Sequence, residues 1–373
     1  MDKMAQHPIE IYEAVQDEAA FEDRYSRQLR FGPIGSAGQD RLRSARVLVV
    51  GTGALGASLA QHMTRAGVGV VRLADRDYVE PSNLQRQMLF DEEDARSATP
   101  KAVAAARKLK RMNGGVRIEA HVVDVSKRTL GYLLAGVDLV LDGTDNAATR
   151  LALSDACFSL GIPLVYGGVT ASEGMSAALI PGRTACLRCL IGDSAADDGT
   201  DTCDTVGVIS PAVEFVASLQ AAEALKWLSG NREAMRGTWV TADIWTFRVR
   251  ELKLPGGRSR CACCGTGAST ADNRLRQDDK PAIEAAVMCG RDSVQVTLGE
   301  AIALDVVRPL LEERGCTLTV NPYLTKAELP DGKRLVLFSD GRVLVQGTSD
   351  AGEAIRLCTD MLQPHREGES IVG

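Results

Sequence analysis

The sequence predicts an α/β protein whose main domain is a Rossmann-like, doubly wound sheet of mostly parallel strands. Apolar runs of strand length alternate with segments of helical periodicity between residues 46 and 166. The first run, RVLVV (46–50), leads directly into the glycine-rich sequence GTGALG. A second apolar block follows a polar stretch at 266–280, which predicts a small α/β C-terminal domain.

The predicted elements follow one another as βαβ units. The first strand, Arg46–Val50, leads through GTGALG into a helix over Ala54–Ala66, with Gly67 as its C-cap. Further strands are predicted at Val68–Ala74, Val116–Val123, Val137–Leu141 and Ile162–Tyr166, and further helices at Ala102–Arg111 and Ala147–Leu160. Because parallel neighbours need long crossover connections, this alternation indicates a largely parallel sheet.

Composition predicts the domain boundaries. They are an acidic N-terminal tail or short docking helix (1–20), the main domain (21–265), a linker (266–280) and the C-terminal domain (281–373). Within the main domain, the acidic segment 192–202 is poor in apolar residues, which is typical of a flexible loop. In the C-terminal domain, Asp340-Gly341 predicts a two-residue hairpin, and a helix over Ser349–Leu362 closes the unit.

Charge and hydropathy exclude several classes of protein. The 373 residues carry 43 Lys+Arg against 49 Asp+Glu, a net charge of −6, without a polybasic block. This acidic balance argues against a nucleic-acid partner. The chain has no apolar run of the ~18 residues that a membrane helix needs, and its N-terminus does not resemble a signal peptide. We therefore expect a cytoplasmic protein without a membrane partner.

The glycine-rich turn predicts a nucleotide site. It follows a strand and opens a helix, and Asp75 comes 24 residues after its first glycine, at the end of the next strand. The free N–H groups and the dipole of the helix attract phosphate, and an acidic residue in this place can bind ribose hydroxyls. The turn residues are Gly51, Gly53, Ala54, Leu55 and Gly56. Alone, this motif would favour NAD.

Polar residues after the neighbouring strands favour a triphosphate with Mg²⁺ instead. SNLQRQ (82–87) follows Asp75, Lys101 begins a predicted helix behind Pro100, and DGTDN (142–146) follows another strand. One Asn, one Arg, one Lys and two Asp at the carboxyl ends of parallel strands suit a triphosphate better than a dinucleotide. The simpler alternatives are surface ion pairs for Arg86 and Lys101, and a helix N-cap role for Asp145.

The ten cysteines include two C-x-x-C pairs, Cys186 with Cys189 and Cys261 with Cys264. Each pair could supply half of a tetrahedral zinc site, although a redox dithiol or separate buried thiols would also explain them. Cys203 ends the acidic loop, where it could act as a nucleophile or be a passive residue. Its acidic neighbours should raise its pKa, which lowers its intrinsic reactivity.

Together these motifs resemble a known family. It comprises the adenylyltransferases that activate sulfur carriers in thiamine and molybdopterin biosynthesis, relatives of ubiquitin-activating enzymes. The matching stretches are RYSRQLRFGPIG (24–35), VLVVGTGALG, DRDYVEPSNLQRQ (75–87), PKAVAA (100–105), DGTDN, CLRCL (186–190), TCDTVGVISP (202–211) and CACCG. CGRDSVQV (289–296) and LFSDGRVLVQGTSD (337–350) resemble the extra C-terminal unit of the longer thiamine-type members.

The resemblance implies that the chain transfers AMP from ATP to the C-terminal Gly-Gly carboxylate of a small ubiquitin-fold sulfur carrier. It also implies Mg²⁺, a structural Zn²⁺, a homodimer, and a cysteine desulfurase or another sulfur donor as a further partner. A peptide-modifying adenylase from a natural-product pathway is an alternative within the family. An NAD-dependent oxidoreductase and a non-catalytic carrier-binding scaffold are alternatives outside it.

The resemblance also implies a role for each motif residue. By position these are Asp75 for ribose; Asn83, Arg86, Gln87 and Lys101 for phosphates; Asp145 for Mg²⁺; Asp77 and Asn146 for the nucleotide site; Arg27 for the γ-phosphate in the partner subunit; Cys186, Cys189, Cys261 and Cys264 for one zinc ion; and Cys203 for attack on the activated carrier. Ala54 stands where many relatives have another glycine.

Overall fold

The predicted alternation of strands and helices is present in a computed structural model of the chain, which describes residues 9–11, 18–192, 206–265, 284–287 and 292–362. The chain divides into two compact units. The first comprises Met1–Arg96 with Pro100–Gln277, and the second comprises Ser97–Thr99 with Asp278–Gly373. The predicted linker (266–280) lies outside the described residues, as does most of the predicted loop 192–202.

A nine-stranded sheet forms the centre of the first unit. Its strands are β1 (Ile9–Ile11), β2 (Arg46–Val50), β3 (Val70–Asp75), β4 (Arg117–Val122), β5 (Leu139–Asp142), β6 (Leu164–Thr170), β7 (Glu173–Leu179), β8 (Thr238–Asp243) and β9 (Arg248–Lys253). They lie in the order β1-β4-β3-β2-β5-β6-β7-β8-β9. The five strands from β4 to β6 are mutually parallel, whereas β1 at one edge and β7, β8 and β9 at the other pair antiparallel.

Helices cover both faces of the sheet, as the predicted doubly wound fold requires. They are α1 (Glu18–Leu29), α2 (Gly35–Ser44), α3 (Ala54–Ala66), α4 (Glu92–Arg96), α5 (Lys101–Met112), α6 (Lys127–Leu133), α7 (Ala147–Leu160), α8 (Leu187–Ile191) and α9 (Ser210–Ser229). Val47 and Val49 of β2 pack into one core with α3, α5 and α9. Leu48 and Val50 pack into a second core with α6 and α7. This alternation follows from the two-residue period of a strand buried on both faces.

The predicted bounds of β2, α3 and α7 match the observed bounds. Gly67 caps α3 in the left-handed conformation, with φ of 80°. The antiparallel strands β7, β8 and β9 were not predicted. Within the predicted N-terminal tail, Ile9–Ile11 pairs antiparallel with β4 and α1 begins at Glu18.

The second unit has a six-stranded antiparallel sheet. Its strands are β10 (Glu284–Val287), β11 (Ser293–Thr297), β12 (Thr317–Val320), β13 (Leu324–Glu328), β14 (Arg334–Phe338) and β15 (Arg342–Gln346), in the order β10-β11-β15-β14-β13-β12. Helices α10 (Leu304–Glu313) and α11 (Ala351–Leu362) share an apolar core with it.

The hairpin predicted at Asp340-Gly341 is present between β14 and β15, but its loop has three residues rather than two. Gly341 takes the left-handed conformation, with φ of 94°, at the third loop position. That position requires a positive φ in a three-residue hairpin loop.

Across the described residues, we find no helix long and apolar enough to cross a membrane.

Candidate nucleotide site and cysteine cluster

The glycine-rich turn is held by close backbone packing. Gly51 has φ of 77° and donates its N–H to the carbonyl of Ala74 (2.8 Å). A Cβ at Gly51 would lie 2.7 Å from the carbonyl oxygen of Gly143. A Cβ at Gly56 would overlap the carbonyl oxygen of Gly51. The glycines therefore let the turn, the start of α3 and the loop after β5 come into direct backbone contact.

Helix α3 presents its N-terminus at this turn. Its N-cap residue is Gly53, and no side chain of the described chain caps it. The first N–H groups of the helix, with the positive end of its dipole, are thus available to an anion. Gln87 lies beside the same place, because its side-chain nitrogen would be 3.6 Å from a Cβ on Gly53.

Asp75 shapes the turn through its carboxylate. One carboxylate oxygen accepts hydrogen bonds from the N–H (2.5 Å) and hydroxyl (3.0 Å) of Thr52, and the other accepts from the N–H of Asp77 (2.7 Å). Burial raises the pKa of Asp75, and the nearby Lys101 opposes that shift. A carboxylate has about four lone-pair sites, so Asp75 keeps acceptor capacity for a ribose hydroxyl.

Charged side chains meet at the ends of β3 and β4. The ammonium group of Lys101 lies 3.1 Å from the carboxylate of Asp77, and the Lys101 side chain is 5% exposed. This pair is therefore not the surface ion pair considered as the simpler alternative. Arg76 pairs with Asp124 at 3.2 Å. Burial lowers the pKa of Arg76, but the carboxylates of Asp77, Asp124 and Asp145 outweigh it, so the pKa is raised.

Asn83 and Gln87 carry unused polar groups. Both residues are buried, and the Oδ1 of Asn83 accepts a hydrogen bond from the N–H of Glu80 (3.1 Å). The Nδ2 of Asn83 and the Oε1 of Gln87 have no hydrogen-bond partner in the described part of the chain. Because an unsatisfied buried polar group is costly, each of these two atoms calls for a further hydrogen-bond partner. Arg86, between them in sequence, is half-buried and donates to the carbonyl of Ser82 (2.9 Å).

The structure separates the roles of Asp145 and Asn146. The side chain of Asn146 accepts a hydrogen bond from the N–H of Thr149 (2.8 Å), so Asn146 is the N-cap of α7. The alternative that Asp145 serves as the N-cap is therefore wrong. The Asp145 side chain is exposed at the end of the loop after β5, where it could bind a cation.

Arg27 lies on α1, exposed, with its guanidinium donating to the hydroxyl of Ser26 (3.0 Å). Its position before the first strand suggests a segment that is free to cross a dimer axis, but within the chain α1 is anchored to the ends of α3 and α5. Gln28 donates to the carbonyl of Ala66 (3.0 Å), and the hydroxyl of Tyr25 accepts from Asn113 (2.7 Å). The helix therefore holds Arg27 outward in a fixed place.

The four paired cysteines converge although 75 residues separate their sequence positions. The sulfurs of Cys186 and Cys261 are 3.7 Å apart and those of Cys189 and Cys264 are 3.6 Å apart. All four lie within 4.8 Å of one another, and among the described residues this is the group that could hold a metal. Four thiolates about 2.3 Å from a zinc ion stand about 3.8 Å apart, so the arrangement fits Zn²⁺. Cys263, which lies between Cys261 and Cys264 in the sequence, is also buried.

Arg76 and Asp124 were missed by the sequence reasoning. Arg76 directly follows β3 and Asp124 lies two residues after the end of β4, so both lie at carboxyl ends of parallel strands, a signal that could have identified them. Cys203 lies outside the described residues.

Comparison with known proteins identifies the family. The ThiF family model matches residues 25–263, from α1 to the second cysteine pair. The chain belongs to the ThiF family. This confirms the resemblance derived from the sequence motifs.

Relatives from bacteria and archaea share this likeness. The sulfur carrier protein ThiS adenylyltransferase of Bacillus subtilis is 40% identical over 89% of this chain and 96% of its own length. The SAMP-activating enzyme E1 of Haloferax volcanii is 37% identical over 66% of this chain and 89% of its own. The molybdopterin-synthase adenylyltransferase of Escherichia coli is 38% identical over 65% and 96%. The similarity to the B. subtilis enzyme extends into the C-terminal unit, because it covers 89% of this chain.

Solved structures support the same ThiF-type fold. The crystal structure of E. coli MccB with ATP has a TM-score of 0.57 and 20% identity, over 65% of this chain and 74% of that chain. At this identity the likeness shows the fold alone.

Proposed function

We propose that the chain transfers AMP from ATP to the C-terminal carboxylate of a small ubiquitin-fold sulfur carrier and releases pyrophosphate. The main support is the pair of unused polar groups on the buried Asn83 and Gln87, the second of which lies beside the uncapped N-terminus of α3. The names of three relatives support the same chemistry, because each describes an adenylyltransferase or an activating enzyme, and the first describes the acceptor as a sulfur carrier protein.

ATP would lie along the carboxyl edge of the parallel strands. Asp75 would accept a ribose hydroxyl, and the N-terminus of α3 would face the phosphates. Asn83 would donate its free amide N–H to a phosphate oxygen, while Lys101 and Arg86 supply positive charge. Because Lys101 is buried and paired with Asp77, its position is fixed before the nucleotide binds.

The reaction itself needs positioning more than acid–base catalysis. The carrier carboxylate attacks the α-phosphorus, a new P–O bond forms, and the bond from the α-phosphorus to the pyrophosphate oxygen breaks. A carboxylate is already ionised at neutral pH, so no general base is required. The protein must hold the two reactants in line and neutralise the charge that moves onto the pyrophosphate, as Lys101 and Arg86 could do.

Asp145 would hold the magnesium ion. Its exposed carboxylate follows β5, and it is close enough to Arg76 to influence that residue's pKa. Magnesium prefers carboxylate and phosphate oxygens, and when bound it supplies charge stabilisation for the leaving pyrophosphate. Arg27 would approach the γ-phosphate of the partner subunit in a homodimer, as its outward position on α1 permits.

The four cysteines would hold a structural zinc ion. All four ligands are protein sulfurs, as is typical of structural rather than catalytic zinc sites. The ion would join the segment after β7 to the segment after β9. A cytoplasmic location, a sulfur donor as further partner, and a carrier-binding or dimer-supporting role for the C-terminal unit are also part of this proposal. So is covalent attack by Cys203 on the carrier tail.

The NAD-dependent alternative is less favoured. Lys101, Arg86 and Asp145 surround the expected phosphate positions, which suits a magnesium triphosphate more than a dinucleotide. A natural-product peptide adenylase would use the same nucleotide chemistry and differ only in the acceptor.

The test is Mg-ATP-dependent exchange of labelled pyrophosphate with candidate carriers from the same organism. Exchange should require a carrier with a free terminal carboxylate and should stop when the terminal glycine is deleted. The Asp145→Ala variant should lose about 3 kcal/mol of transition-state stabilisation, or roughly 100-fold in rate. Exchange by Asp145→Ala at the wild-type rate would refute the assignment of this site.

A further inference from the structure

Arg150, in the first turns of α7, bridges two strands at the nucleotide edge. Its Nη2 donates to the carbonyls of Thr144 (2.6 Å) and Gly167 (3.3 Å). Its Nε lies 3.7 Å from the Oδ2 of Asp142. Asp142 and Thr144 belong to the end of β5 and the loop after it, whereas Gly167 belongs to β6. One guanidinium therefore ties the loop that ends in Asp145 to the next strand.

The guanidinium is itself held in place. The Arg150 side chain is 18% exposed, and its guanidinium carbon lies 5.3 Å from the centre of the Tyr166 ring. Asp142 is fully buried, and its Oδ1 accepts hydrogen bonds from the N–H (2.9 Å) and hydroxyl (2.7 Å) of Thr144. A planar, multi-donor cation is well suited to link a carboxylate and two carbonyls in one geometry.

The same loop is fastened from the other side by Gln220 of α9. Its Nε2 donates to the carbonyls of Asp142 (2.9 Å) and Val165 (3.0 Å). A Cβ at Gly167 would overlap the Gln220 side chain, so glycine at that position leaves room for this contact. Arg150 and Gln220 thus both connect the β5 loop to β6, through different backbone atoms.

We propose that Arg150 is a positioning residue that fixes the loop over residues 142–146 so that the carboxylate of Asp145 faces the bound nucleotide. Asp145 immediately follows the Thr144 carbonyl that Arg150 holds, and displacements of about 1 Å can cost about 100-fold in rate. The inference rests on the proposed function, which gives Asp145 a magnesium nucleotide to bind.

The experiment is a double-mutant cycle on Mg²⁺-dependent ATP binding, measured by calorimetry without a carrier. Arg150→Gln should raise the Mg²⁺ concentration for half-maximal binding roughly 10-fold, since it releases the loop without touching the ligand. Arg150→Lys should restore part of the affinity, because an ammonium group can still reach one carbonyl. The Asp145→Asn/Arg150→Gln double variant should bind Mg-ATP no more weakly than Asp145→Asn alone. Both substitutions act on the same interaction, so the second has nothing further to remove.

Arg41→Gln is the matched control. Arg41 also donates to a distant backbone carbonyl, that of Ser229 (2.9 Å), away from the nucleotide edge. The Arg41→Gln variant should leave the Mg²⁺ dependence of ATP binding unchanged. Equal effects of Arg41→Gln and Arg150→Gln, or independent effects of Arg150→Gln and Asp145→Asn, would overturn the inference. Wild-type protein that binds Mg-ATP but never shows carrier-dependent exchange would refute the proposed function and leave the role of Arg150 intact.

Discussion

The three glycines of GTGALG are equivalent in the sequence motif but not in the structure, and alanine substitutions should separate them. A methyl group at Gly56 would overlap the carbonyl oxygen of Gly51 and lie 2.8 Å from its carbonyl carbon. Both neighbours are backbone atoms, so the turn itself must move. A methyl group at Gly53 would meet only the side-chain nitrogen of Gln87, at 3.6 Å, an ordinary van der Waals distance.

We expect Gly56→Ala to destabilise the main unit by about 3 kcal/mol, the upper part of the range for overpacked interiors. For a unit of this size that lowers Tm by about 6–12 °C. Gly53→Ala should destabilise the main unit by at least about 2 kcal/mol less than Gly56→Ala does. It should nevertheless weaken ATP binding, because its methyl group would stand at the N-cap of α3, where the phosphates approach.

Thermal unfolding followed by circular dichroism, with ATP affinity from calorimetry, separates the two effects. Gly53→Ala should have a Tm near that of the wild type with reduced ATP affinity. Gly56→Ala should have both a lower Tm and a reduced ATP affinity. If Gly56→Ala unfolds at the wild-type temperature, the close backbone packing of the turn does not exist in solution. If Gly53→Ala binds ATP as tightly as the wild type, the N-terminus of α3 does not face the phosphates.

Three further outcomes are expected. Protein purified without chelator should contain one zinc per chain, and removal of the zinc should lower Tm, because the ion would join segments 75 residues apart. Elemental analysis without stoichiometric zinc would contradict this. Burial, aided by Arg72, lowers the pKa of His121 to about 4. Because its ordinary value is 6.5, the unfolded chain takes up the proton first, and up to about 3 kcal/mol of stability should be lost as pH falls from 6.5 to 4. In urea unfolding, His121→Asn should weaken this dependence; an unchanged pH profile would refute the shift. Mixing Arg27→Ala chains with Asp145→Ala chains should restore one active site per heterodimer. If heterodimers are shown to form but have no activity, Arg27 does not act in the site of the partner subunit.

Local signals were sufficient for the centre of the main unit. β2 is a five-residue apolar run, and the turn after it requires glycine at close backbone contacts. Gly67 ends α3 because glycine adopts the left-handed C-cap without strain. Since parallel strands carry their following loops to one edge, the order of strands and motifs also predicted that Asp75, Lys101 and Asp145 belong to one site.

The antiparallel strands could not be predicted in the same way. β9 (Arg248–Lys253) is exposed along its whole length, and it is a strand because it pairs with β8. β1 has only three residues and pairs with β4 more than one hundred residues later. Short strands of this kind lack a helical or alternating pattern of their own, and long-range backbone hydrogen bonding decides their structure.

The sequence by itself determined the family, the residue types of the proposed nucleotide site and the two cysteine pairs. Tertiary structure decided which atoms of these residues are already engaged. It assigned the N-cap to Asn146 instead of Asp145, buried Lys101 against Asp77, and left the Nδ2 of Asn83 without a hydrogen-bond partner among the described residues. Sequence spacing could not settle these points, because each depends on where another strand or helix lies. For the same reason only the fold brings the sulfurs of Cys186 and Cys261 to 3.7 Å.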